Sequence, residues 1–123
     1  MLKILVADKY NIHRIGLVQI LIEAFPGAKV EEANDLDSLF KKCSGHKWDI
    51  IISGFIVPVG MGVDTIQQIK KTDPGVTVAV CGLDVRKSDI TCLLNAGAAV
   101  FVDKAAKAPV IAEAIRKTQP LEK

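Results

Sequence analysis

The strongest constraint on this chain is an alternation of short aliphatic runs with helical segments, repeated five times. Lys3–Ala7 reads KILVA, Asp49–Ser53 reads DIIIS, Val76–Cys81 reads VTVAVC and Ala99–Asp103 reads AVFVD. Near-continuous aliphatic runs mark strands covered on both faces, which implies a parallel sheet with helices on each side. Ala28–Ala33 is a further, more polar strand candidate. Helical spacing covers Asn11–Ala24, Asp35–Cys43, Gly62–Lys71, Lys87–Ala96 and Pro109–Lys117. These segments stop at Pro26-Gly27, Gly45, Asp73-Pro74-Gly75 and Gly97, the residues that end helices and make turns. Right-handed crossovers leave such an α/β chain few topologies.

At 123 residues the chain suffices for one domain with a real core. That domain is expected over 1–118, with 119–123 as a tail and fraying from Thr118 onward. The net charge of +2 gives no global pull toward nucleic acid or an anionic membrane. The basic pairs Lys41-Lys42, Lys70-Lys71 and Arg116-Lys117 fall near helix ends, where cations offset the dipole. No apolar run approaches a membrane span, and the start of the chain runs directly into a strand without a signal pattern. Cys43, Cys81 and Cys92 are odd in number and widely spaced, so reduced thiols and a cytoplasmic location are expected, with no structural metal.

In open α/β sheets, ligands bind outside the carboxyl ends of the strands. Those ends supply Asp8 and Lys9, then Gly54, then Cys81 and Gly82, then Asp103 and Lys104. No nucleophile–base pair is among them: Cys81 has no histidine placed to activate it, so no catalytic residues and no enzyme are expected. Cys81 reads as a small buried hydrophobe, with a redox thiol activated by Lys104 as the alternative. His13 and His46 stand alone, as surface or capping residues. Gly60-Met61-Gly62 lacks the pattern of a phosphate loop and reads as a mobile entry to the third helix. No cofactor motif is present.

Several ordered segments carry a resemblance. Arg14-Ile15-Gly16-Leu17 is similar to an R-x-G-L in the first helix, and Phe25–Ala33 to a helix-to-strand passage. Pro58 and Gly62 keep the spacing of a P-G-M-x-G loop, and Ala96-Gly97-Ala98 with Lys104 match an A-G-A segment and a lysine. Together they make the chain resemble a receiver domain of two-component response regulators, of the LuxR/NarL type. The resemblance implies a flavodoxin-like (CheY-like), doubly wound five-stranded parallel sheet of order 2-1-3-4-5 with five helices. It also implies a site of two adjacent acids and a third, phosphoaccepting aspartate around magnesium, with a Thr or Ser and a lysine gripping the phosphoryl oxygens.

Carried over residue by residue, the resemblance keeps Asp8 and Lys104, and Phe101 stands at the switch-aromatic position. Lys9 replaces the second acid, Gly54 the acceptor and Cys81 the hydroxyl residue. One carboxylate beside two ammonium groups is a poor magnesium site. Asp49 and Asp84 are the other carboxylates considered, but Asp49 precedes its strand and Asp84 follows its strand by some residues. The expected arrangement is an Asp8–Lys104 ion pair with Lys9 in the vacated metal region.

The first helix carries an expected inward stripe of Ile12, Gly16, Leu17, Ile20, Leu21 and Ala24, and a second apolar stripe of Ile15, Val18 and Ile22. The second stripe reads as an interface. The expected function is therefore a degenerate receiver, a phosphorylation-independent signalling domain acting through a protein partner or as a homodimer. No membrane contact and no direct nucleic-acid contact by this domain are expected, although the resemblance implies a DNA-binding module following it in a longer parent chain. The alternatives are control by a small ligand in the altered pocket, or a small cofactor-binding enzyme on the same fold.

Overall fold

The computed structural model describes residues 1–119. Along the chain come β1 (Lys3–Ala7), α1 (Asn11–Ala24), β2 (Lys29–Ala33), α2 (Leu36–Gly45) and β3 (Ile50–Ser53). Then follow α3 (Val59–Thr72), β4 (Thr77–Gly82), α4 (Lys87–Asn95), β5 (Val100–Asp103) and α5 (Ala108–Arg116). All strand pairs are parallel, in the order β2-β1-β3-β4-β5 that the resemblance implies.

Alternation along each strand sorts side chains to two faces. Ile4, Val6, Ile50, Ile52, Ala79, Cys81 and Val102 pack with Leu17 and Leu21 of α1 and Ile111 and Ile115 of α5. Leu5, Ala7, Ile51, Val78 and Val80 pack with Leu39 of α2, Ile66 and Ile69 of α3 and Leu93 of α4. Burying each large aliphatic side chain contributes about 1.5–3 kcal/mol over leaving it exposed, so the doubly covered central strands anchor the domain. β2 is the polar edge. There Glu31 is bridged by Lys42 at 3.1 Å and Lys29 at 3.2 Å, and hydrogen bonds from Lys42 and then Lys29 hold its carboxyl below the usual range.

Helix ends follow the residues available. Asp35 is the N-cap of α2 and accepts from the Ser38 N–H at 2.7 Å, rather than lying inside the helix. Lys42, Lys70, Lys71 and Arg116 sit in last turns, opposite the negative ends of their helices. His46 is the C-cap residue of α2 and stacks edge-on against Trp48.

Three expectations change. α3 begins at Val59, so Gly60-Met61-Gly62 is helical and not a mobile loop. The Pro58 carbonyl accepts the Met61 and Gly62 N–H groups, and Gly62 lets the first turn close on Ile56, whose Cα would lie 2.9 Å from a β-carbon there. Second, β4 runs one residue further, to Gly82. Third, α1 is turned differently from the expected stripes. Leu17 and Leu21 are buried and Ile20 and Ala24 partly so, but Gly16 is exposed and Ile12 is 84% exposed. Val18, expected outside, packs against the α1/α5 core. The exposed line is Ile12, Ile15 and Ile22. At the far end of the chain, Thr118 and Gln119 continue in hydrogen-bonded turns after α5, and the rest of the expected tail, from residue 120, lies outside the described residues.

Candidate functional site

The sheet order brings the ends of β1, β3, β4 and β5 together, and an open cleft of about 480 Å3 lies over them. Asp8 follows β1 and is 1% exposed. Its backbone is fixed from both sides. Its N–H donates to the Ala33 carbonyl at 3.0 Å, and its own carbonyl accepts from Arg14 Nη1 at 2.9 Å. Arg14 is in turn held by Glu32 at 2.8 Å and Asn11 at 2.8 Å. The Asp8 carboxylate accepts the Tyr10 N–H at Oδ1, at 2.9 Å.

Lys104 arrives from the end of β5, where its N–H donates to the Gly82 carbonyl at 3.0 Å. Its Nζ lies 2.6 Å from Asp8 Oδ2, with both side chains almost wholly buried. The approach lies off the hydrogen-bonding direction, so Oδ2 has a charge partner but no aligned donor. Lys104 Nζ also sits 5.4 Å from the centre of the Tyr10 ring, and Lys9 Nζ sits 5.1 Å from it. Lys9 is exposed and turned to Tyr10; its ammonium is on the ring rather than on Asp8.

Both glycines at the floor of the cleft have their side-chain space filled by neighbours. A β-carbon on Gly54 would meet Asp8 Oδ2 at 2.6 Å and Cγ at 2.8 Å. A β-carbon on Gly82 would meet Ile56 Cδ1 at 2.5 Å and Val85 Cγ2 at 2.8 Å. The Gly54 N–H donates to the Ala7 carbonyl at 2.7 Å and the Phe55 N–H to Ser53 Oγ at 3.2 Å, so neither amide is free for an anion.

Against this geometry, the chain matches the response regulator receiver domain over residues 4–116. The chain belongs to that family. VraR of Staphylococcus saprophyticus is 27% identical over 117 residues, covering 95% of this chain and 56% of that protein. CheY of Thermotoga maritima is 26% identical over 115 residues, covering 94% of this chain and 95% of that protein. A LuxR family DNA-binding response regulator from Silicibacter pomeroyi superposes with a TM-score of 0.78 at 26% identity, covering 94% of this chain and 88% of that chain. The chain spans about half the length of most of the curated relatives it matches.

As a receiver domain, the protein joins Asp8, Gly54 and Lys104 at one point, with Lys9 at the rim. Cys81 does not line that cleft. Its side chain packs among Ala79 and Val102 under α1 and α5, where it borders a second cavity that Lys104 also lines, and it is 1% exposed. The residue of β4 that lines the cleft is Gly82. Burial pushes the Cys81 thiol up to about 12, Lys104 opposing and Asp8 adding to the rise, so it stays protonated at neutral pH. That is the reverse of an activated redox thiol. Phe101, on β5 beside Val80, packs against the α2–α4 core and is partly exposed.

The magnesium ion implied by the family does not fit these residues. Asp8 offers one carboxylate, and an ammonium group already lies against it. Among the described residues, no group of three or more His, Cys, Asp or Glu side chains could hold a metal. Asp49 cannot contribute, because it accepts from the Lys3 N–H at the opposite end of the sheet. Asp84 is exposed in the β4–α4 loop. Two site residues escape a reading of strand ends alone: Arg14, which holds the Asp8 backbone, and Tyr10, which holds its carboxylate. Arg14 had a signal in its place six residues after the aspartate, whereas Tyr10 holds the carboxylate through its backbone N–H, which residue type does not mark.

No described helix is long and apolar enough to cross a membrane.

Proposed function

We propose that this receiver domain signals without aspartyl phosphate, by contact with a protein partner or a second copy of itself, as a cytoplasmic regulator of transcription. One observation carries the proposal: the Asp8 carboxylate is already paired with Lys104 Nζ at 2.6 Å and fills the space of a side chain at Gly54, so a metal would find a single, occupied carboxylate and a phosphoryl group no acceptor. The likeness to DNA-binding response regulators supports a transcriptional output delivered by a module other than this one.

The test is an amide NMR titration of the domain with magnesium and then beryllofluoride. No saturable, localised change is expected. Saturable chemical-shift changes centred on Asp8, Gly54 and Lys104 would overturn the proposal, as would transfer of a phosphoryl group from acetyl phosphate to the protein.

The contact surface proposed is α1. Ile12, Ile15 and Ile22 project from one side of the helix and are 84%, 59% and 47% exposed. Their spacing is helical, which makes a stripe rather than scattered residues. Sedimentation of the domain at rising concentration is expected to show self-association. The paired substitutions Ile15→Glu and Ile22→Glu should abolish it while changing monomer stability by no more than about 0.5 kcal/mol. A wild-type monomer throughout, or an oligomer unchanged by the substitutions, would remove α1 as a homodimer surface.

A further inference from the structure

The cleft over the strand ends has a chemistry of its own. Its volume of about 480 Å3 lies within the roughly 300–1,000 Å3 of small-molecule sites. Its lining is of two kinds. Lys9 and Lys104 bring their ammonium groups to the Tyr10 ring. Val57, Met61 and Leu83 add apolar wall. Val57 is 73% exposed and Leu83 is 47% exposed, so both have surface to lose to an occupant.

Charge selects the occupant. Among the described residues, none lining the cleft is acidic. Beneath it, Asp8 neutralises only one of the two ammonium groups, which leaves a net positive charge. The shape excludes a compact oxyanion as the best match. The floor amides of Gly54 and Phe55 are already bonded, and Asp8 and Ile56 fill the space above the glycines. What remains is a positive rim beside an aromatic ring, continuous with an apolar trough.

We propose that the cleft binds a small organic monocarboxylate with a flat apolar body. Its carboxylate meets Lys9 and the free protons of the Lys104 ammonium, and its body lies on Met61 between Val57 and Leu83. Lysine has three donors and Asp8 takes one direction only, so Lys104 can serve both anions. Val57 stands in the β3–α3 loop and Leu83 in the β4–α4 loop, so an occupant would tie together the entries to two helices. The proposal rests on the reading that this place holds neither metal nor phosphoryl group.

The probe is 2-naphthoate, titrated at low salt into the isotope-labelled domain and followed by amide NMR. Neutral 2-naphthamide and inorganic phosphate are titrated separately. Saturable chemical-shift changes at Tyr10, Gly54, Gly82 and Leu83 are expected with 2-naphthoate. Lys9→Glu, an exposed substitution, is expected to weaken that binding by up to about tenfold, the scale of reversing one solvent-facing charge. The amide and phosphate are expected to bind at least several-fold more weakly. No saturable change with 2-naphthoate would overturn the proposal. Equal binding of the amide would remove its anionic half, and equal binding of phosphate its apolar half. The beryllofluoride titration reports separately on the phosphorylation-independent reading, so the two can fail independently.

Discussion

Lys104→Met is expected to destabilise the domain by about 3–5 kcal/mol, the usual loss when one partner of a buried ion pair is removed. The cause is what stays behind. Asp8 is 1% exposed, and its Oδ2 has Lys104 Nζ at 2.6 Å and no aligned hydrogen-bond donor. Without the ammonium group, the carboxylate keeps the Tyr10 N–H at Oδ1 but faces an uncompensated buried charge at Oδ2. Much of the loss is therefore a penalty on Asp8 rather than the worth of the pair. Adding Asp8→Asn to Lys104→Met removes that charge while keeping an acceptor for Tyr10, so the double variant should recover most of the stability. Urea denaturation of the wild type, Lys104→Met, the single variant Asp8→Asn and the double variant gives the coupling directly. A loss below about 1 kcal/mol for Lys104→Met would mean the pair behaves as a solvated surface contact.

The fold was legible in the sequence because it follows from periodicity. Runs such as Ile50-Ile51-Ile52, bounded by turn residues, read as strands covered twice; crossover rules leave few topologies, and the family resemblance supplied the order among them. The meeting of Asp8, Gly54 and Lys104 came with that order, since all three follow strands that adjoin or nearly adjoin. Local register was harder. Extending β4 by one residue moves the cleft position from Cys81 to Gly82, because neighbouring residues of a strand face opposite ways. Nothing in VTVAVCG marks the last strand residue, as cysteine and glycine both suit a strand end. The orientation of α1 failed for a related reason. NIHRIGLVQILIEA is apolar on most of its circumference, so spacing alone does not choose between Ile12 and Val18 for the inward face. Packing decides it: Leu17 and Leu21 face the sheet, Val18 follows them in, and Ile12, in the first turn, is left exposed beside the strand ends.

Gly54→Asp, the substitution that would place a carboxylate where the sequence resemblance puts a phosphoacceptor, is expected to harm the domain. Its β-carbon would lie 2.6 Å from Asp8 Oδ2 and 2.8 Å from Cγ. Asp8 cannot swing aside freely, because Oδ1 holds the Tyr10 N–H and Oδ2 lies against Lys104. The steric part alone, measured with Gly54→Ala, should cost about 1–3 kcal/mol. The aspartate adds a second buried carboxylate beside a single ammonium group, and like charges at that distance raise the apparent pKa of the pair. A carboxyl raised in the folded state above its unfolded value binds a proton that the unfolded chain has released. The extra penalty is therefore small near pH ~4. Above that it grows by about 1.4 kcal/mol per pH step of one, until the raised folded-state pKa is passed. Stability measured at about pH 4.5 and about pH 7.5 should show the gap between Gly54→Asp and Gly54→Ala widening with pH. Magnesium should leave both variants unmoved. If Gly54→Asp matched wild-type stability, or if magnesium raised its melting temperature, the pocket would be an intact receiver site lacking one side chain. The packing of Asp8 against Gly54 argues otherwise: the space that a side chain at residue 54 would need is filled by the Asp8 carboxylate, which the Tyr10 N–H and Lys104 hold in place.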